Sequence, residues 1–115
     1  MDHLRTVIEQ AFERRAEINP GNVPHELAVA LDDALELLDS GRARVAARLD
    51  GRWVVNEWLK KAVLLYFRSH ENVVIEGGHT RYYDKVPLKY AGVSPERFRE
   101  GGTRVVPPAI ARKGA

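Results

Sequence analysis

Four arginines in the second half of this 115-residue chain, Arg81, Arg97, Arg99 and Arg104, stand among aromatic and glycine-flanked positions. A planar guanidinium presents a fixed fork of donors that fits a carboxylate or a phosphate bidentately, so anion recognition is the chemistry these residues suggest. Arg104 stands apart from the other three. It follows Gly101-Gly102-Thr103 and precedes Pro107-Pro108, an extended setting in which the backbone can hold the fork in one direction. The plain alternative for each of the four is a surface arginine paired with a neighbouring carboxylate.

Other chemistries find less support. The chain has no cysteine, which removes disulfides, thiolate metal sites and cysteine nucleophiles together and fits a reducing compartment. His3, His25, His70 and His79 lie far apart in sequence without metal-ligand spacing, so they read as surface or locally bonded imidazoles and no metal is implied. Ser40, Ser69 and Ser94 fall at helix ends or turns without a nucleophile-elbow pattern. Gly77-Gly78 and Gly101-Gly102 belong to no phosphate-loop pattern and open no long helix, which makes them turn glycines. No residue is assigned a catalytic role, and no cofactor-binding residue is assigned.

The elements that must position the arginines can be read from periodicity. Leu4, Val7, Ile8, Ala11 and Phe12 predict an amphipathic helix over residues 4–18, stopped by Asn19-Pro20-Gly21-Asn22. Pro24 suits the first turn of a second helix, in which Leu27, Ala30, Leu31, Ala34, Leu35 and Leu38 repeat the pattern to Ser40, with Gly41 as a left-handed C-cap. The two pack antiparallel, and Glu26, Asp32, Asp33, Glu36 and Asp39 read as a solvated acidic face. After Gly41 the period shortens: Val45, Ala47 and Leu49 alternate with Arg44, Ala46 and Arg48, Asp50-Gly51 signals a two-residue turn, and Arg52 to Val55 return as a hairpin strand. Residues 57–68 are apolar around most of a helix and predict a third, largely buried helix at the centre of the core. Val73-Val74-Ile75 is a short strand, Tyr82 to Tyr90 is extended but broken by Pro87, and Ser94-Pro95 opens a short helical turn that Gly101-Gly102 closes. The stretch from Thr103 to Pro108 is extended, and 109–115 has no closing element; it reads as a connector into another element or as a frayed end.

The result is one α/β domain of the α+β kind: a small helical body with a β-hairpin and short strands. Its 44% hydrophobic content allows a core without staples. Residues 1–40 carry nine acidic and three basic side chains, and residues 41–115 carry seven acidic and fifteen basic. The basic part could meet nucleic acid, an anionic substrate, or the acidic part of its own or a neighbouring chain. Nucleic acid is disfavoured, because Trp53, Trp58, Tyr66 and Phe67 fall at apolar positions that core burial explains better. No apolar run reaches the roughly 18 to 20 residues of a membrane span, and the N-terminus lacks signal-peptide character, so a cytoplasmic protein without a membrane partner is expected.

Five strings, Phe12-Glu-Arg-Arg-Ala-Glu-Ile18, Leu37-Leu-Asp-Ser-Gly41, Trp58-Leu-Lys-Lys-Ala-Val-Leu-Leu65, Asp84-Lys-Val-Pro87 and Arg104-Val-Val-Pro-Pro-Ala109, resemble the N-terminal region of the tetrahydrodipicolinate N-succinyltransferase family, in order along the whole chain. The resemblance implies an enzyme of diaminopimelate and lysine biosynthesis that moves succinyl from succinyl-CoA, its co-substrate, to the amine of ring-opened tetrahydrodipicolinate. It also implies a homotrimer, in which a left-handed β-helix of hexapeptide repeats follows the N-terminal domain and acceptor and CoA sites lie between neighbouring β-helices. In that family the arginine of the Arg-Val-Val-Pro-Pro string binds the acceptor carboxylate, which makes Arg104 the substrate-binding residue here.

No hexapeptide repeat is present in these residues. The resemblance therefore sets 1–108 as the N-terminal domain and 109–115 as a connector toward a β-helix of its own or a neighbouring subunit, with the acyl-transfer residues and CoA contacts outside it. The chain alone is not expected to catalyse. The alternative is a free-standing, non-catalytic interaction module whose basic face meets an acidic partner.

Overall fold

The computed structural model describes residues 1–115. Helix α1 (Asp2–Glu13) buries Ile8 and Ala11, one turn-spacing apart, and carries Leu4, Val7 and Phe12 on the flanks of the same stripe. It stops at Glu13 rather than continuing to residue 18, and Arg15–Glu17 tighten into a single 3₁₀ turn. The break falls at Arg14, which leaves the helical conformation at φ −111° and ψ 29°. Beyond the turn asparagine side chains take over the backbone, Asn22 Oδ1 accepting the Asn19 N–H at 2.8 Å and Asn19 Oδ1 the Gly21 N–H at 2.9 Å. Ile18, just past the turn, still drops into the core.

Helix α2 (His25–Ser40) buries Leu27, Ala30, Leu31, Ala34, Leu35 and Leu38, the full stripe read from the sequence. Pro24 sits one position earlier than the first turn, at the N-cap, and Gly41 ends the helix with φ 77°. Helix α3 (Glu57–Ser69) turns Trp58, Leu59, Ala62, Leu65 and Tyr66 inward. It is not buried all round: Lys60, Leu64 and Arg68 form an exposed stripe at four-residue spacing. Each of the three helices packs against the other two. The core is therefore a triangle to which α3 contributes one side, closed by Ile18 and Val86 from outside the helices. No helix is long and apolar enough to cross a membrane.

Two separate antiparallel hairpins leave this body. Strands β1 (Ala46–Leu49) and β2 (Arg52–Val55) pair with Leu49 opposite Arg52, and the intervening Asp50 and Gly51 have φ 49° and 76°. Both turn residues lie in the left-handed region, as a tight two-residue hairpin requires. Strands β3 (Val73–Glu76) and β4 (Arg81–Asp84) form the second hairpin, closed at its turn by the Gly77 N–H donating to the Thr80 carbonyl at 2.8 Å. The extended stretch expected to reach Tyr90 is thus a strand only to Asp84, since Pro87 cannot donate to a ladder.

The two tryptophans part company. Trp58 is 6% exposed in the core, whereas Trp53, expected to be buried, is 68% exposed beside Val55 on the outer face of β2. A two-stranded hairpin has two faces, and neither helix nor third strand covers this one. Arg48, directly opposite Trp53, lies over its ring at 6.0 Å from the centroid.

Helix α4 (Pro95–Gly101) starts as the sequence indicates: Ser94 Oγ accepts the Arg97 N–H at 3.2 Å, Pro95 fills the first turn, and Gly102 caps the end at φ 64°. Residues 103–110 are exposed and irregular, with a cis bond between Pro107 and Pro108. The chain then returns. Leu88 and Arg112 form an antiparallel bridge, the Lys89 N–H donates to the Ala111 carbonyl at 2.9 Å and the Lys113 N–H to the Pro87 carbonyl at 2.8 Å. The closing residues therefore do not fray. A ladder this short leaves no periodicity in the sequence, and so no closing element is visible there.

The core assignment predicts a sharp contrast between the tryptophans. Trp58→Ala should cost about 3 to 5 kcal/mol in denaturant unfolding, as expected for a large buried aromatic. Trp53→Ala should cost less than about 1 kcal/mol. Equal losses at the two positions would contradict the packing.

Candidate functional site

At the C-terminal end of α2, three distant parts of the chain converge on one carboxylate. Asp39 Oδ1 accepts Lys89 Nζ at 2.7 Å and the Gly114 N–H at 2.8 Å. The same ammonium donates to the Asp39 carbonyl and to the Ala115 carbonyl, each at 2.8 Å. The Asp39 carbonyl is one of the last helical carbonyls, which lack an intrahelical donor and carry the negative end of the helix dipole. Lys89 thus satisfies a helix end and a side-chain charge at once. Lys113 Nζ adds an ion pair with Glu36 at 3.4 Å, one turn earlier on α2.

Only about a fifth of the Lys89 and Asp39 side chains is exposed, at 21% and 23%. Burial by itself would raise the Asp39 carboxyl's pKa. The Lys89 hydrogen bond, the Gly114 N–H and the charges of Lys89 and Lys113 outweigh it and hold the group below its ordinary value. Elsewhere, burial, with the Asp32 charge added, pushes the Tyr66 phenol up.

Residues 90–110 span the gap between the two strands of the closing ladder, and α4 lies within them. Few contacts tie this segment to the rest. Tyr90 and Phe98 stack their rings obliquely at 5.5 Å, and a cavity of about 610 Å³ opens between the end of α2 and α4. Asp39, Lys89, Ser94, Arg97, Phe98 and Thr103 are among its lining residues.

The four candidate arginines divide into two pairs. Arg81 pairs with Glu76 across the β3–β4 hairpin at 3.1 Å, and Arg99 with Glu96 along α4 at 3.7 Å, so the plain surface reading holds for them. Arg97 and Arg104 have no carboxylate partner within 4 Å. Arg97 lines the cavity, and Arg104 follows Thr103 at its rim, exposed on the irregular segment. The fork of Arg104 is therefore not consumed by an internal ion pair.

His3 and His25 line one shallow cavity with Glu26 and Asp33, and the other two histidines stand elsewhere. His3 Nε2 lies 3.5 Å from Glu26, His25 begins α2, and His79 sits in the β3–β4 turn. His70 stacks on Tyr66 with ring centroids 3.8 Å apart and places Nδ1 2.9 Å from Ser69 Oγ. No three His, Asp or Glu side chains converge on a common point.

Asp39 and Lys89 are the residues that sequence reasoning missed. Asp39 was expected on the solvated acidic face, with Glu26, Asp32, Asp33 and Glu36. It lies instead on the flank of the buried stripe, four residues after Leu35, where a side chain reaches toward whatever packs beside that stripe. That spacing is the signal that could have found it. Nothing local in the sequence points to Lys89, fifty residues away.

Comparison with known proteins gives a consistent answer. Residues 3–69 match the family described as tetrahydrodipicolinate N-succinyltransferase N-terminal. Proteins named 2,3,4,5-tetrahydropyridine-2,6-dicarboxylate N-succinyltransferase align across the chain. The one from Thioalkalivibrio sulfidiphilus is 57% identical over 115 residues, all of this chain and 42% of the relative. That from Methylococcus capsulatus is 59% identical over 112 residues, 97% of this chain and 41% of the relative. That from Yersinia enterocolitica is 56% identical over 115 residues, again 42% of its length. The chain thus spans well under half the length of these relatives.

The lowered pKa of Asp39 fixes a direction for acid sensitivity. A carboxylate depressed in the folded state contributes stability fully above its unfolded value of about 3.9, and that contribution is lost as pH falls through the folded value. Amide exchange followed from pH 6 downward should show Lys113 and Gly114 losing protection below about pH 4, before the amides of α3 do. Loss at the same pH in both places would contradict a local clasp.

Proposed function

Because the chain belongs to the tetrahydrodipicolinate N-succinyltransferase family and corresponds to its N-terminal domain, we propose that it acts as the acceptor-recognising part of a CoA-dependent N-succinyltransferase. The full-length enzyme transfers succinyl from succinyl-CoA to the amine of ring-opened tetrahydrodipicolinate, in the succinylase branch of diaminopimelate and lysine biosynthesis. It works in the cytoplasm as a homotrimer. The acid–base residues and the CoA contacts belong to the β-helix of its own or a neighbouring subunit, toward which residues 109–115 lead.

Support comes first from identity of 56 to 59% with relatives of that name along essentially the whole chain. A free-standing interaction module is not favoured by that match. The observation that carries the residue-level reading is the state of Arg104, exposed and without an internal carboxylate partner while Arg81 and Arg99 are paired.

The chemistry asked of Arg104 is limited and specific. A guanidinium stays protonated, so it cannot take the proton that the acceptor amine gives up when it attacks the thioester carbonyl. What it can do is hold an acceptor carboxylate in a two-point grip, so that the amine at the other end of the molecule meets the thioester in a fixed orientation. That contribution is orientation and charge neutralisation, with no proton transfer.

In the full-length enzyme, Arg104→Lys keeps the charge but loses the fork. It should lower kcat/KM for the dicarboxylate acceptor by about 30-fold, equivalent to about 2 kcal/mol, and leave the KM for succinyl-CoA nearly unchanged. Near-normal efficiency toward the acceptor, or a loss confined to succinyl-CoA, would show that Arg104 is not the carboxylate ligand.

A further inference from the structure

We propose that Asp39 and Lys89 are positioning residues for Arg104: their ion pair clasps the neck of the 90–110 loop and thereby sets where the arginine's guanidinium stands. The inference rests on the reading of Arg104 given above and adds the device that orients it.

The argument begins with what the loop lacks. Not one residue from 90 to 110 is buried. A segment without core contacts has no packing to fix its direction, and its orientation is set where it is anchored. The anchor is the neck. Lys89 enters the loop, Gly114 follows it, and both end on the same Asp39 oxygen at 2.7 and 2.8 Å. The backbone bonds between residues 87–89 and 111–113 hold the two strands of the neck together. Val86, buried in the core, leads into the neck from one side, and the Asp39 carboxylate, together with the Asp39 main-chain carbonyl that accepts Lys89 Nζ, ties the pair of strands to the end of α2.

The loop's own fastenings do not replace the clasp. The Ser94 cap and the Tyr90–Phe98 contact order α4 internally. The Lys113–Glu36 pair at 3.4 Å lies on more exposed side chains, where an ion pair contributes little. A two-point grip on a carboxylate tolerates displacements of only about an ångström, so a loosened neck should be read directly in acceptor binding.

The test is a double-mutant cycle in the full-length enzyme, with hydrogen exchange as an independent arm. Asp39→Asn should raise the acceptor KM and lower kcat/KM by about 10-fold, with the succinyl-CoA KM unchanged. In an Arg104→Lys background the same change should cost less than about 3-fold, because the geometry it protects is already lost. Lys89→Met, which removes the ammonium and keeps the stem, should repeat the pattern, and Lys89→Arg should restore most of the efficiency. Exchange of amides 94–106 should quicken in Asp39→Asn while that of 58–69 does not. Equal losses in both backgrounds, equal effects on the two substrates, or unchanged exchange across 94–106 would each overturn the proposal. A silent Arg104→Lys would sink the carboxylate-ligand reading instead, and the exchange arm would still decide whether the clasp orders the loop.

Discussion

A carboxylate three-quarters withdrawn from water must be met by donors, and the end of α2 meets that requirement with groups drawn from fifty and seventy-five residues downstream. The rest of the architecture arranges itself around this constraint. The apolar stripe of α2 fixes the helix against α1 and α3, so Asp39 is presented at a place the core determines. Lys89 and Gly114 must then come to it, and the 90–110 loop is carried along with them. The helical core and the loop that carries the anion-binding candidate are therefore joined at the end of α2, where one carboxylate oxygen takes donors from both strands of the neck.

Outside that joint the molecule divides by how each part meets its burial requirement. The three helices satisfy one another, each laying its stripe on the other two, and their buried residues form a single cluster. The hairpins are different. Each has only two strands, and the β1–β2 hairpin leaves Leu49, Trp53 and Val55 in water. Two-stranded ribbons are marginal alone, so their stability here comes from short tight turns and from cross-strand contacts such as Arg48 over Trp53.

What the sequence revealed follows the same division. Wherever local chemistry decides, the reading held: the six-residue stripe of α2, the Gly41 cap, the Asp50-Gly51 turn, and the Ser94-Pro95 start of α4. It failed where a residue's surroundings come from far along the chain. Trp53 and Trp58 have the same side chain, and only the presence of two other helices over one and nothing over the other separates them. Asp39 has the same composition signal as Asp32 and Asp33, yet it alone among them has a lysine brought to it. Helix α1 ends five residues before the expected stop because Arg14 leaves the helical conformation, a local departure that hydrophobic periodicity does not register.

The candidate site was legible in the same partial way. Four arginines shared a composition argument, and the family strings singled out Arg104, but neither distinguishes a guanidinium that is engaged from one that is free. Geometry does. Two of the four are spent on neighbours one hairpin turn or one helical turn away, a pairing that any surface arginine can make. Arg97 and Arg104 remain, with no carboxylate within 4 Å of either guanidinium. A charge left unpaired beside an open cavity costs little while water solvates it, and it becomes useful only if an anion is delivered to it in a fixed orientation. On the proposed reading a rigid neck matters for that purpose as much as the arginine does. On the same reading, a domain that spans well under half of its relatives' length would contribute geometry alone, holding an anionic end of the acceptor while the acid–base groups are supplied elsewhere.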